Sequence, residues 1–319
     1  MVSFDPTRDI PPLSGKVILV TGGNIGLGKQ CILEYARHDP ACIYLAARSA
    51  GKAQAAINEI KQQLGASSST PIKFLELELS SLDSVKNATE KLLEQEFRLD
   101  ILMMNAGIMA AAPGLTENGY EMQFGVNYLG HALLFQLLCP LLEKTSQLPD
   151  ADVRAIMVTS VGHQLAPKEG IPFDQLKTDC SKFGPFERYG SSKLAQILWV
   201  RHGATLHPNI TFAAAHPGLV GGTGLGASAT GTGGFANLLM AMSPLAATSL
   251  EKGARNQLWA SVGKDVKSGE WYAPETCLGV MQVGVGSQSG ASALAKDDAL
   301  AKKLWQWAEE RLQSYAISS

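Results

Sequence analysis

The chain has 319 residues, with 27 lysines and arginines against 29 aspartates and glutamates, for a net charge of -2. With no basic run, that balance excludes nucleic-acid binding, which depends on clustered cations; the scattered acids exclude an acidic tail. The five cysteines (Cys31, Cys42, Cys139, Cys180, Cys277) form no CxxC pair and read as reduced structural thiols, with no metal set among them.

No signal-like apolar core opens the chain, and no run reaches about 18 uninterrupted apolar residues. The expectation is a cytoplasmic protein with no transmembrane span. Short apolar runs at Val17–Val20, Ile43–Ala46, Ile72–Leu79, Ile101–Met104, Ala155–Val158 and Ile210–Ala214 predict strands. Between them, Leu27–His38, Lys52–Leu64, Leu82–Phe97, Tyr120–Leu142 and Ser191–Leu206 carry helical spacing. Such alternation predicts α/β architecture: a doubly wound parallel sheet with helices on both faces. We read residues 1–319 as one domain, with a cofactor-binding core over 13–214. The stretch 217–250 has no charged residue until Glu251 and mixes glycines with large apolar side chains, which predicts a substrate lid. A terminal helix over Leu300–Leu312 carries Trp305 and Trp307 as packing residues.

Two motifs carry chemistry. Lys16–Thr21 runs directly into Gly22-Gly-Asn-Ile-Gly-Leu-Gly28, and a helix follows. In that context Gly22 permits the tight turn, Gly26 admits the backbone to a pyrophosphate, and Gly28 allows close helix–strand packing. The second strand ends Ala46-Ala47-Arg48 with no acid. An acid there would bind the ribose hydroxyls in NAD enzymes; its absence, with the planar fork of Arg48, favours NADP(H). Downstream, Tyr189 and Lys193 lie four residues apart, one turn apart at the start of their predicted helix. Drawing a phenol from about 10 to about 7 takes roughly 4 kcal/mol. One ammonium about 4 Å away at an effective dielectric near 20 supplies about as much.

Together, TGxxxGxG and YxxxK resemble the short-chain dehydrogenase/reductase family over nearly the whole chain, nearest its retinol-dehydrogenase-like and fungal reductase branches. The resemblance implies a seven-stranded sheet in the order 3-2-1-4-5-6-7. It implies Tyr189 as proton donor, Lys193 as its partner and a holder of the nicotinamide ribose, and Ser160 (rather than Thr159) on the substrate carbonyl. Asn127 anchors a water that extends the proton relay. It also implies cofactor contacts at Asn24, Ile25, Glu78, Asn105, Gly107, Pro217, Gly218, Val220 and Thr223. Glu78 stands where the family usually has Asp, and Thr223 is one residue later than the usual threonine. The 28 residues between Ser160 and Tyr189 imply a wall of the substrate site. His163 and His216 lack a second ligand at metal spacing and read as structural or pocket-lining. The reading is an NADP(H)-dependent oxidoreductase acting between carbonyl and alcohol on a bulky, largely apolar small molecule. A non-catalytic dinucleotide sensor on the same fold is the alternative, and a homodimer through the Asn127 and Tyr189 helices is left open.

Overall fold

Val17–Thr21 (β1) is apolar, largely β-branched and wholly buried, as suits a strand covered on both faces. It lies inside the sheet of the computed structural model, which describes residues 2–65, 69–225, 229, 248–277 and 281–317. The other strands are Cys42–Ala47 (β2), Ile72–Glu76 (β3), Ile101–Met104 (β4), Val153–Val158 (β5), Ile210–Ala215 (β6), Glu270–Cys277 (β7) and Met281–Ser287 (β8). They form one sheet in the order β3-β2-β1-β4-β5-β6-β7-β8. β1 to β7 pair in parallel, with Val17 opposite Cys42 and Ile18 opposite Ile101.

Two expectations need correction. The sheet has eight strands rather than seven, because β8 returns antiparallel to β7 with register shifts near Glu275. Those shifts, and Gly284 and Gly286 within β8, break the period-2 pattern by which a strand is recognised. β3 ends at Glu76, short of the expected Leu79; the Glu78 backbone N–H instead donates to the Ser84 hydroxyl.

The helices are α1 (Pro6–Asp9), α2 (Gly26–Ala36), α3 (Ala50–Leu64), α4 (Leu82–Leu93), α5 (Met122–Phe124), α6 (Gly130–Ser146), α7 (Pro185–Leu206), α8 (Leu250–Val262) and α9 (Asp298–Leu312). Two hydrophobic clusters sandwich the sheet, one with α2, α3 and α8, the other with α4, α6, α7 and α9. β4 shows how a strand feeds both: Leu102 and Met104 enter one cluster, Ile101 and Met103 the other. The terminal helix is bound into this packing, since Trp305 stacks on Trp199 of α7 with centroids 5.7 Å apart.

The stretch Met122–Ser146 is long and apolar enough to cross a bilayer by composition, but it is mostly buried in protein. It is continuous only because a π-helical turn, Gly125–Leu129, joins α5 to α6. α7 begins at Pro185, six residues before the expected Ser191. Proline is preorganised for the first helical position, and the Glu187 carboxylate accepts the Gly184 N–H at 2.7 Å. Tyr189 therefore sits in the second turn of a formed helix.

Candidate active site

The glycine loop is built as a cradle. Gly22 and Gly26 have positive φ, 65° and 55°. A Cβ on Gly28 would collide with the Gly22 carbonyl and lie 2.6 Å from Asn105 Nδ2, so only glycine lets α2 approach β1 this closely. The N-cap of α2 is Ile25, which offers no side-chain cap. The first-turn N–H groups of α2 therefore have no side-chain acceptor and suit an anion. These features fit the pyrophosphate of a dinucleotide. At its adenosine end, Arg48 is 79% exposed and stands 3.6 Å from Glu78. Glu78 is also turned inward, accepting the Ser80 N–H.

The structure brings Ser160, Tyr189 and Lys193 together at the carboxyl edge of β5. The Ser160 hydroxyl hydrogen-bonds the Tyr189 phenol and accepts the Gly162 N–H at 3.0 Å. Thr159 points elsewhere, donating to the Lys193 carbonyl. Gly107 lies beside Asn127 and Lys193; a Cβ there would be 3.2 Å from Asn127 Oδ1 and 3.5 Å from Lys193 Nζ.

Burial governs the ionisation of both groups. It pushes the Tyr189 phenol up to about 12, against the opposing pull of the Ser160 hydrogen bond. It draws the Lys193 ammonium down to about 7. The expected lowering of Tyr189 by Lys193 is thus overturned in the cofactor-free protein. The amine is 5.6 Å from the phenol ring centroid. Being near its own midpoint at neutral pH, it carries only part of a full charge there.

Behind these groups lies a network that motif reasoning missed. Thr21 Oγ1 accepts the N–H groups of Asn105 and Ala106 at 2.9 and 3.0 Å. Both lone pairs are then engaged, so the hydroxyl donates to His131 Nε2 at 2.9 Å. The ring proton consequently sits on Nδ1 and goes to the Asn127 carbonyl, also at 2.9 Å. Burial lowers His131 to about 4, keeping it neutral. Gln196 Nε2 donates to the same Asn127 carbonyl at 2.6 Å, and Gln196 Oε1 accepts Lys193 Nζ at 3.0 Å. Lys193 also donates to the Val158 carbonyl at 3.1 Å. The Asn127 side chain clasps the backbone of Ile108 and donates to Ser192. A relay water on the Asn127 carbonyl would have to displace one of two side chains. Gln196 stands three residues after Lys193, on the same helical face, the one sequence signal that could have marked it.

Other expected positions take structural duties. The Asn105 side chain is engaged by the Thr21 carbonyl and Gln257, which ties the ends of β1 and β4 together. Gly218 has φ 86° in the turn after Pro217, Val220 bridges to Thr248, and Thr223 Oγ1 accepts the Leu225 N–H. The Thr223 backbone packs against Gly26, which brings the segment after β6 onto the glycine loop beside Asn24 and Ile25. Residues 226–228 and 230–247, including Leu239 and Met242 of the expected lid, lie outside the described residues. His163 donates from Nδ1 to the Ser160 carbonyl and accepts the Ser292 N–H at Nε2, and His216 stacks on Trp271. Both rings are held by packing or hydrogen bonds beside the Ser160 turn.

The family model for short chain dehydrogenase matches residues 16–167. Short-chain dehydrogenase/reductase drtF of Aspergillus calidoustus is 36% identical over 323 residues, covering 95% of this chain and 96% of its own length. Human retinol dehydrogenase 13 is 37% identical over 209 residues, 65% of this chain and 60% of its own. Among solved structures, an uncharacterized protein from Mycobacterium paratuberculosis covers 98% of both chains with 26% identity and a TM-score of 0.73. NADPH-bound carbonyl reductase from chicken fatty liver aligns over 82% of this chain and 97% of its own, with 21% identity and a TM-score of 0.57, a likeness of fold alone. The chain belongs to the short-chain dehydrogenase/reductase family of oxidoreductases. These relatives do not favour the non-catalytic sensor.

Two outcomes test the network. An unfolded Lys193 keeps its proton to about pH 10.5, while the folded one releases it near 7. Between those values the unfolded state holds the extra proton, so the stability of cofactor-free protein rises with pH from about 7 to about 10. The slope is at most ~1.4 kcal/mol per pH unit. Lys193→Met should flatten that rise, as read by urea unfolding at pH 7 and 9; an unchanged slope would count against it. Gln196→Leu leaves a buried carbonyl and an ammonium each short of a partner and should cost about 1–3 kcal/mol. A loss below about 0.5 kcal/mol, no more than an ordinary surface change, would mean that Gln196 supports nothing.

Proposed function

We propose that the protein is an NADP(H)-dependent reductase that converts a carbonyl on a bulky, largely apolar small molecule to an alcohol. The observation that carries this reading is the buried meeting of the Ser160 hydroxyl, the Tyr189 phenol and the Lys193 amine beside an uncapped glycine-loop helix. When bound, the nicotinamide supplies the hydride. Ser160 Oγ orients the carbonyl, and Tyr189 Oη gives its proton to the oxygen as negative charge develops there. A phenol held near 12 is protonated throughout the neutral range, the state a proton donor needs. Lys193 presents its remaining N–H to the ribose and phenol side, while Gln196 and Val158 fix its position. Asn127 holds the Ile108 backbone and, through Gln196, the amine.

NADP(H) is supported by Ala47 and Arg48, with which β2 ends without an acid of its own, and Arg48 is exposed enough to receive a 2′-phosphate. Glu78 is a competing partner for the guanidinium, so phosphate affinity includes the cost of separating the pair. An apolar substrate is supported by Leu219, which is 57% exposed just after the Pro217 turn.

Tyr189→Phe should preserve folding and NADPH binding and lower turnover about 10²–10⁴-fold, measured as NADPH oxidation against a panel of ketones, aldehydes and quinones. Near wild-type turnover would defeat the assignment. Arg48→Ala should weaken NADPH by about 1.5–3 kcal/mol and leave NADH nearly unchanged in fluorescence titrations. Equal losses for both cofactors would make Arg48 structural.

A further inference from the structure

Away from the phenol and the glycine loop, α6, α7 and α9 line a solvent-open cavity of about 300 Å³. Phe135, Trp199 and Trp305 form an apolar part of its wall, and Cys139, Glu143 and His207 also line it. Cys139 and Glu143 are four residues apart on α6, so both side chains project from one helical face. His207 is the C-cap of α7. Its ring lies edge-on to Phe135 and stacked on Phe212, with centroids 5.5 and 6.0 Å away. Aromatic packing thereby orients the imidazole in advance: Nδ1 lies 2.8 Å from Glu143 Oε1 and 3.7 Å from Cys139 Sγ. Among the described residues this is the one group of three such donors close enough to share an ion.

We propose that Cys139, Glu143 and His207 form a zinc-binding site with its fourth coordination position open to the cavity. Zinc binds thiolate sulfur at about 2.3 Å and imidazole nitrogen or carboxylate oxygen at about 2.0–2.2 Å. Around a tetrahedral ion those lengths set donors about 3.3–3.6 Å apart. The nitrogen–sulfur separation of 3.7 Å is about 0.1 Å beyond that span. The nitrogen–oxygen separation must open by about half an ångström to meet that span, within reach of a Glu143 side chain that is 34% exposed. A sulfur, nitrogen and oxygen set selects zinc or cobalt over magnesium and calcium, which take oxygen ligands.

Metal entry displaces the Cys139 thiol proton to solvent. It also moves the imidazole proton from Nδ1, where the carboxylate now accepts it, to Nε2. The ion's two positive charges then meet one thiolate and one carboxylate, so the half-buried centre is neutral; the metal has to offset the burial that pushes the free Cys139 thiol up to about 12. Three protein ligands leave an exchangeable position, and Glu309 of α9 lines the same cavity, offering an acceptor to a zinc-bound water. The metal would fasten the distal ends of α6 and α7.

The test titrates metal-free, full-length protein with Zn²⁺ and, separately, Co²⁺. One saturable zinc site per chain is expected, with a raised Tm. Bound cobalt should show thiolate-to-metal charge-transfer absorption in the near ultraviolet. Cys139→Ser should abolish that absorption while Cys180→Ser retains it. Cys139→Ser, His207→Gln and Glu143→Gln should each weaken zinc at least about tenfold. If circular dichroism shows that one variant has not folded, the remaining two decide the matter. Wild-type protein with no saturable site, with weak binding at many sites, or with folded variants that bind as well as wild type would overturn the proposal.

Discussion

The hydroxyl of Thr21 is the constraint on which the site depends. It closes β1, takes two backbone donors from the loop after β4, and passes its own proton to His131. From there neutral hydrogen bonds run through the Asn127 carbonyl and Gln196 to the Lys193 amine. The strand that leads into the glycine loop and the helix that carries the phenol are thus registered against each other through the interior. In a dry core each such bond is stronger than in water, and each unpaired member is costly. The chain of bonds can therefore hold the geometry only if it is complete.

Asn127 lies in the π turn Gly125–Leu129, a form that recurs at functional positions. Its carbonyl there receives His131 Nδ1 and Gln196 Nε2. The turn is anchored at its start by Glu121, fully buried, which accepts the Phe124 N–H at 2.6 Å. Glu121 Oε1 stands 3.7 Å from Arg188 Nε, and both side chains are 2% exposed. Arg188 also donates to the Ala111 and Asp179 carbonyls. The residue next to Tyr189 is thereby tied to the loop after β4 and to the segment that follows Ser160. Buried ion pairs add little net stability, but losing one partner is expensive, which restricts how this corner can be assembled.

The six strands predicted from short apolar runs all form, because a sheet covered on both faces demands continuous β-branched sequence. The irregular edge hid β8, and the start of α7 was misplaced because Pro185 and Glu187 act through a turn that precedes the apolar periodicity. Motif spacing pointed to Tyr189, Lys193 and the glycine loop, and the family resemblance added Ser160. It did not reveal Gln196 and His131, whose partners are 69 and 110 residues away. The ionisation of Tyr189 was also hidden, since desolvation is a property of the packed surroundings rather than of the Tyr–Lys spacing.

All five tryptophans are buried, none more than 9% exposed. Trp199 and Trp305 stack on each other, Trp307 packs on Phe124, and Trp259 lies against Tyr272. Two indoles lie against imidazoles. His202 and His207 flank Trp305, while His163 meets Trp271 edge-on at 5.0 Å and His216 stacks on it at 5.7 Å. Of these four rings, His163 also holds the Ser160 carbonyl. Trp271 is therefore an intrinsic optical probe two side chains away from the phenol, and the emission lost in Trp271→Phe is the part that this corner of the site controls.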